Sequence, residues 1–225
     1  MATEGIIVLA SSLKVGGRCV AGVSTVSGDW VRPVSNLPDG RLEARHCRVN
    51  GRFPRKLEMV SFEHSGPADD PAQPENVLVE DGGWTLDSRL SHAAASTELE
   101  PWLVEGPELF GNRDDSVSEE DVASRGPSPS LALIEPDNVS FVLKRPWQAG
   151  GPRRYRVFFE LDGALYDLGM TDPGVRAQLD ERGFGAYNAQ GLLPDGLTRV
   201  LLTASLGGAF KGRHYKLAAG VIFLP

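Results

Sequence analysis

Residues 5–35 read GIIVLASSLKVGGRCVAGVSTVSGDWVRPVS, and this stretch decides the fold. Gly5–Ala10 is a short apolar run that suits a buried strand, and Arg18–Thr25 is rich in small and β-branched residues. Trp30–Val34 follows closely as a third strand. Outward from here the same signal recurs. Lys56–Glu63 alternates Leu57, Met59 and Ser61 against Glu58, Val60 and Phe62, the period of a strand. Asn138–Arg145, Tyr155–Leu161, Ala164–Leu168, Leu197–Ala204 and Tyr215–Phe223 have the β-branched and aromatic content, bounded by Gly, Pro and Asp, that strands show. Helices are few. Asp172 caps a helix that begins at Pro173, runs to about Arg182 and stops at Gly183, and a second helix is expected within Ser88–Leu103, where Ser91–Glu98 is Ala-rich. Residues 64–76 and 104–130, rich in Pro, Gly, Ser and acids, read as loops or partly disordered inserts. The fold class is therefore mainly β, with one or two short helices. Two small barrels sharing an interface, over residues 1–66 and 131–225, flank an acidic loop-rich insert at 67–130.

At 225 residues the chain is one large domain or two small ones, with the 41% hydrophobic and 24% charged content of an ordinary globular protein. No apolar run is long enough for a membrane helix, and no basic residue precedes Ile6–Ala10, so neither a membrane partner nor a secretory signal is expected. Cys19 and Cys47 make no disulfide framework and read as small buried apolar residues, which suits a reducing, cytoplasmic compartment.

The net charge of −7 hides a segregation. Residues 11–56 carry nine Lys or Arg against three acids, residues 63–125 carry sixteen acids against three Arg, and residues 126–225 carry eleven basic and nine acidic groups. A basic first quarter beside an acidic middle fits a cationic binding surface flanked by a competing acidic segment; it fits equally a solvated Arg-rich loop beside a solubilising one.

Three segments together resemble a known family. Ser12-Leu13-Lys14, Gly17-Arg18-Cys19-Val20-Ala21-Gly22 and Trp30-Val31-Arg32-Pro33-Val34-Ser35 are similar to the opening of the prokaryotic dual OB-containing domain family. Leu202–Gly207 with Phe210-Lys211-Gly212 and Tyr215–Gly220 is similar to its closing strands, and Leu168–Pro173 to its Thr-Asp-Pro turn before a helix. The resemblance frames nearly the whole chain apart from residues 64–130. It implies two OB-like barrels and a role in binding nucleic acid or a nucleotide within bacterial defence or genome conflict. It supplies no catalytic residues.

An OB barrel holds single strands by base stacking in a cationic groove. Lys14, Arg18, Trp30, Arg32, Lys211, Arg213 and Tyr215 are the candidate nucleic-acid-binding residues. Trp30 and Arg32, two apart in a strand, share one face; the bland alternative puts Trp30 in the core and Arg32 on a neighbouring carboxylate or carbonyl. Lys14…Gly17-Arg18…Ala21-Gly22-Val23 and Lys211-Gly212-Arg213…Ala219-Gly220-Val221 read as a candidate internal repeat. Val15-Gly16-Gly17 and Gly207-Gly208 read as tight turns or as phosphate-approaching loops, without Walker or Gly-x-Gly-x-x-Gly spacing.

No metal site is expected, since Cys19, Cys47, His46, His64, His92 and His214 lack ligand spacing, and no cofactor signature is found. Asp114, Asp115, Glu119, Glu120 and Asp121 fall in a low-complexity stretch, and Ser205 lacks a nucleophile elbow. No catalytic constellation emerges. Three roles stay open: a non-catalytic nucleic-acid-binding module, a protein-binding adaptor, and an enzyme on nucleotides or nucleic acid.

Overall fold

The computed structural model describes residues 1–126 and 128–225. The opening stretch folds as an antiparallel meander of β1 (Ala2–Lys14), β2 (Gly17–Ser24) and β3 (Trp30–Val34). β4 (Glu58–His64) pairs with β1, and β5 (Asn76–Leu78) lies parallel to β3. β6 (Thr85–Arg89) extends the sheet on β4. The order is β5-β3-β2-β1-β4-β6. The first sheet thus runs past residue 66 and takes two strands from the segment read as insert.

Next come α1 (His92–Glu98), β7 (Ser116–Ser118), α2 (Glu119–Arg125) and β8 (Leu131–Ile134). A second meander follows, β9 (Asp137–Lys144), β10 (Arg154–Leu161) and β11 (Ala164–Met170), then α3 (Pro173–Arg182) and β12 (Gly185–Asn188). The long hairpin β13 (Arg199–Phe210) and β14 (Arg213–Leu224) closes the chain. β12 pairs with β9, and β14 lies parallel to β11, in the order β12-β9-β10-β11-β14-β13-β8. Each sheet therefore contains one path: a three-strand meander, a fourth strand back on the first, and a later strand parallel to the third. That is the five-stranded Greek-key path of an OB barrel, laid down twice. No described helix is long and apolar enough to cross a membrane.

Local chemistry explains the helices. Asp172 Oδ1 accepts from Gly174 N at 2.9 Å and Val175 N at 3.0 Å, Pro173 needs no N–H at that position, and Gly183 ends α3 at φ +90°. The acidic 104–130 segment holds more order than its composition suggests. Ser118 caps α2, Glu119, Glu120 and Asp121 fill the first turn, where the helix dipole favours anions, and β7 pairs with β14.

β1 is buried on both faces because it serves two cores. Ile6 and Val8 point into the first barrel with Val20, Val60 and Phe62. Ile7 and Leu9 point the other way, into a layer shared with Leu133, Leu201, Ile222 and Leu224 of the second. The second barrel has its own core around Phe141, Val157, Phe159, Leu168 and Met170.

The two hairpin turns match. Lys14 pairs with Gly17 and Phe210 with Arg213, so each turn has two residues, with Gly16 at φ +79° and Gly212 at φ +78°. The β1–β2 ladder slips once, at Val8/Ala10 opposite Gly22/Ala21, and the β13–β14 ladder twice, at Thr203/Ala204 opposite Gly220/Ala218 and at Leu206/Ala209. Ala21-Gly22 lies opposite the bulged Leu9 of β1, whereas Ala219 is itself the bulged residue of β14, so the two Ala-Gly pairs do not hold equivalent places in a repeat; Ala21 and Ala219 nevertheless meet in one cluster with Ala10 and Leu131. A Cβ on Gly220 would lie 2.2 Å from Leu9 O and 3.1 Å from Ala10 Cα, so β14 crosses β1 in backbone contact. Gly220→Ala is expected to lower stability by about 1–3 kcal/mol in urea melts, whereas Gly208→Ala, with no atom of the described residues within 4 Å of the new methyl, changes it by less than about 0.5 kcal/mol.

Candidate nucleic-acid interface

The seven residues singled out in the sequence fall in four separate places. Lys14 is exposed at the first hairpin tip, its Nζ donating to Asp39 O. Arg18 lines a cleft between the barrels, with its guanidinium 5.2 Å from the Phe53 ring centroid. Lys211 and Tyr215 are exposed at the second hairpin tip beside Phe210, while Arg213 is half-buried, its Nε donating to Ser116 Oγ at 2.8 Å.

Trp30 and Arg32 sit at the inter-barrel contact. Trp30 packs against the shared apolar layer. Arg32 is 2% exposed and pairs with Glu75 at 3.0 Å. Its Nη2 also donates to Ser130 Oγ at 2.9 Å and Ser205 Oγ at 3.2 Å. No polyanion reaches it. Alternation placed the two on one side of the strand, and the second barrel covers that side.

A different surface gathers exposed cations and aromatics. On the outer face of the second meander, register puts Arg154 beside Lys144, Arg156 beside Val142 and Gly169, and Phe158 beside Ser140 and Asp167. The β9–β10 loop, residues 145–153, rises at one end of this face. There Trp147 is 83% exposed, and the Arg154 guanidinium lies 3.4 Å from its ring centroid. Phe184, 46% exposed, is flanked by Arg145 at 4.9 Å and Arg153 at 5.9 Å, and Lys144 Nζ stands 4.6 Å above Phe158. Asp167 pairs with Arg156 and Lys144, and Asp180 with Arg153. The hydrogen bond from Tyr155 Oη, with a second from Arg153, holds the Asp180 carboxyl below its ordinary range. Arg145 and Arg154 have no carboxylate within 4 Å among the described residues. The sequence carried the signal, since residues 144–156 hold five Lys or Arg and no acid. It was averaged away in the near-neutral carboxyl-terminal half.

Other chemically suggestive groups have structural duties. The acids at 119–121 form the first turn of α2, and Asp115 O accepts the Lys216 N–H at 2.8 Å. Cys47 is buried, which pushes its thiol up to about 12, while Cys19 is partly exposed rather than buried. Lys216 is 2% exposed, and its Nζ donates to Asn112 O at 2.9 Å and Oδ1 at 2.6 Å. Burial brings its ammonium down to about 8.

Two expected outcomes follow from these buried cations. Arg32→Ala strands the Glu75 carboxylate and costs about 3–5 kcal/mol in urea melts, whereas Arg145→Ala, at the surface, costs less than about 0.5 kcal/mol. Lys216 has a folded pKa below its unfolded value of about 10.4, so between those values the unfolded chain binds more protons. Stability therefore rises with pH across that window, by up to about 3 kcal/mol. The difference in unfolding free energy between wild type and Lys216→Met, measured from pH 7 to 10.5, isolates this rise.

A family model described as a dual OB-containing domain matches residues 5–221, nearly the whole chain. No curated protein and no solved structure matches it.

Proposed function

Because this chain belongs to the dual OB-containing domain family, we propose that it is a non-catalytic module that binds single-stranded nucleic acid on the outer face of β9–β10–β11 and the β9–β10 loop. The observation that carries this reading is the stacked pair of Arg154 and Trp147 among cations that outnumber their carboxylates. OB barrels offer the face of their second and third strands, with the loop joining the first two, to oligonucleotides. In the second barrel those elements are β10, β11 and the 145–153 loop. Trp147 and Phe184 supply faces for bases, and Arg145, Arg153 and Arg154 supply guanidinium groups for phosphates. A place in bacterial defence is supported by the family resemblance alone.

A second reading, a protein-binding adaptor, draws on the other hairpin tip. Phe210 is 60% exposed there and stands 6.4 Å from Tyr215, an aromatic pair beside Lys211 and away from the strand face.

Fluorescence anisotropy with single-stranded oligonucleotides across a salt series separates the two. Affinity should fall with salt at about −0.7 log unit per phosphate contact, and Arg154→Ala should flatten that slope by about 0.7. Trp147→Ala should weaken binding by about 1–3 kcal/mol and leave the slope unchanged, because stacking is not ionic. Trp147 is largely outside the core, so both variants should melt like wild type. Absence of binding at low salt by the folded wild type overturns the nucleic-acid reading and leaves the adaptor.

A further inference from the structure

A cleft of about 560 Å³ lies between the barrels, walled on one side by Arg18, residues 52–57 and Arg89 and on the other by residues 172–175, Gln178 and Val221–Phe223. It shares no residue with the strand face proposed for nucleic acid. We propose that this cleft binds a mononucleotide, a phosphate monoester joined to a planar ring bearing N–H donors.

Charge sets the first half of the ligand. Five cations line the cleft: Arg18, Arg52, Arg55, Lys56 and Arg89. Two are already committed, Arg52 to Glu58 and Lys56 to Asp172. Arg18, Arg55 and Arg89 have no carboxylate within 4 Å among the described residues. The single lining carboxylate, Asp172, does not repel an anion. Its oxygens accept from Lys56 Nζ, from Val221 N at 3.1 Å, and from Gly174 N and Val175 N. The same bonds occupy the first turn of α3, so the anion is held by side chains and not by that helix end.

Unmet polar atoms set the second half. Among the described residues Arg18 Nη1 and Gln178 Oε1 are both buried without a hydrogen-bond partner, and both belong to residues lining the cleft. The first wants an anionic acceptor; the second wants a donor. A buried polar group without a partner is destabilising, and one molecule carrying a phosphate at one end and an N–H at the other answers both. Between them the wall is apolar, with Phe53, Leu57, Val175 and Phe223, and Phe53 already stacks on the Arg18 guanidinium. A planar heterocycle fits that wall, and the volume falls within the range of small-ligand pockets. Desolvation lowers the Arg18 pKa, a penalty that a bound phosphate would relieve.

Isothermal titration of the full chain with the four ribonucleoside monophosphates, the matching nucleosides and inorganic phosphate tests this. At least one monophosphate should bind with Kd below about 1 mM, its nucleoside and inorganic phosphate each at least about tenfold more weakly. Arg18→Gln and Arg55→Gln should each weaken it about tenfold or more, while Arg154→Ala, on the other face, leaves it unchanged. Arg55 is exposed, so its variant stands even if Arg18→Gln melts early. The proposal is overturned if no monophosphate binds up to about 5 mM, if nucleosides bind as tightly, or if Arg55→Gln binds like wild type. Oligonucleotide binding that weakens in Trp147→Ala while monophosphate binding is unchanged separates this site from the strand face.

Discussion

The molecule is organised by one backbone contact, the crossing of β14 over β1 at Gly220. With 2.2 Å between a would-be Cβ and Leu9 O, no residue with a side chain fits there without movement. The crossing falls where both hairpins bulge, which turns Leu9 out of its own ladder and leaves its carbonyl free. Thr203 Oγ1 from the second barrel donates to that carbonyl at 3.0 Å, so the bulge is satisfied only when the barrels are docked. The alternation of β1 follows from this. A strand with Ile6 and Val8 on one side and Ile7 and Leu9 on the other must be covered twice, and the second cover is the other barrel.

Two buried polar ties fix the docking that apolar contact alone would leave less defined. Arg32 and Glu75 belong to the first sheet and its β5 approach, while Ser130 and Ser205 belong to the second. Lys56 reaches from the first barrel to Asp172 and Val221 O of the second. Desolvation offsets most of the attraction in such pairs, so their net contribution is small. Their geometric demand is not small. Each is satisfied in one arrangement of the barrels, and the cleft beside Asp172 owes its walls to that arrangement.

Local signals in the sequence were legible and long-range ones were not. The Asp172-Pro173…Gly183 pattern places α3 at Pro173–Arg182 because capping acts within a few residues. The Gly-Arg and Ala-Gly likeness of the two ends marks two hairpins with two-residue turns but not equivalent strands, since Gly17 follows its turn while Gly212 lies within its own, and the bulged residue is Leu9 of β1 in one and Ala219 of β14 in the other. Two-residue spacing put Trp30 and Arg32 on one face, but which face of a strand another barrel covers is a property of packing that alternation does not encode. The acidic stretch read as loop because its elements are short. Ser118 followed by Asp121 was a capping signal there, too local to outweigh the surrounding composition.

Where a guanidinium lies decides whether its charge is available, and the partner it keeps shows which case holds. Inside the barrel contact, Arg32 has to be neutralised by Glu75, so its charge is cancelled where it is made. Arg154 instead rests on Trp147, and an aromatic ring orients a cation without cancelling its charge. The same holds for Arg145 on Phe184. Such stacking restrains long side chains before any ligand arrives, which lowers the ordering cost of binding while keeping the field outward. A chain of net charge −7 can therefore present a locally cationic face, because sixteen of its carboxylates crowd residues 63–125 while Arg145 and Arg154 stand on rings in the second barrel.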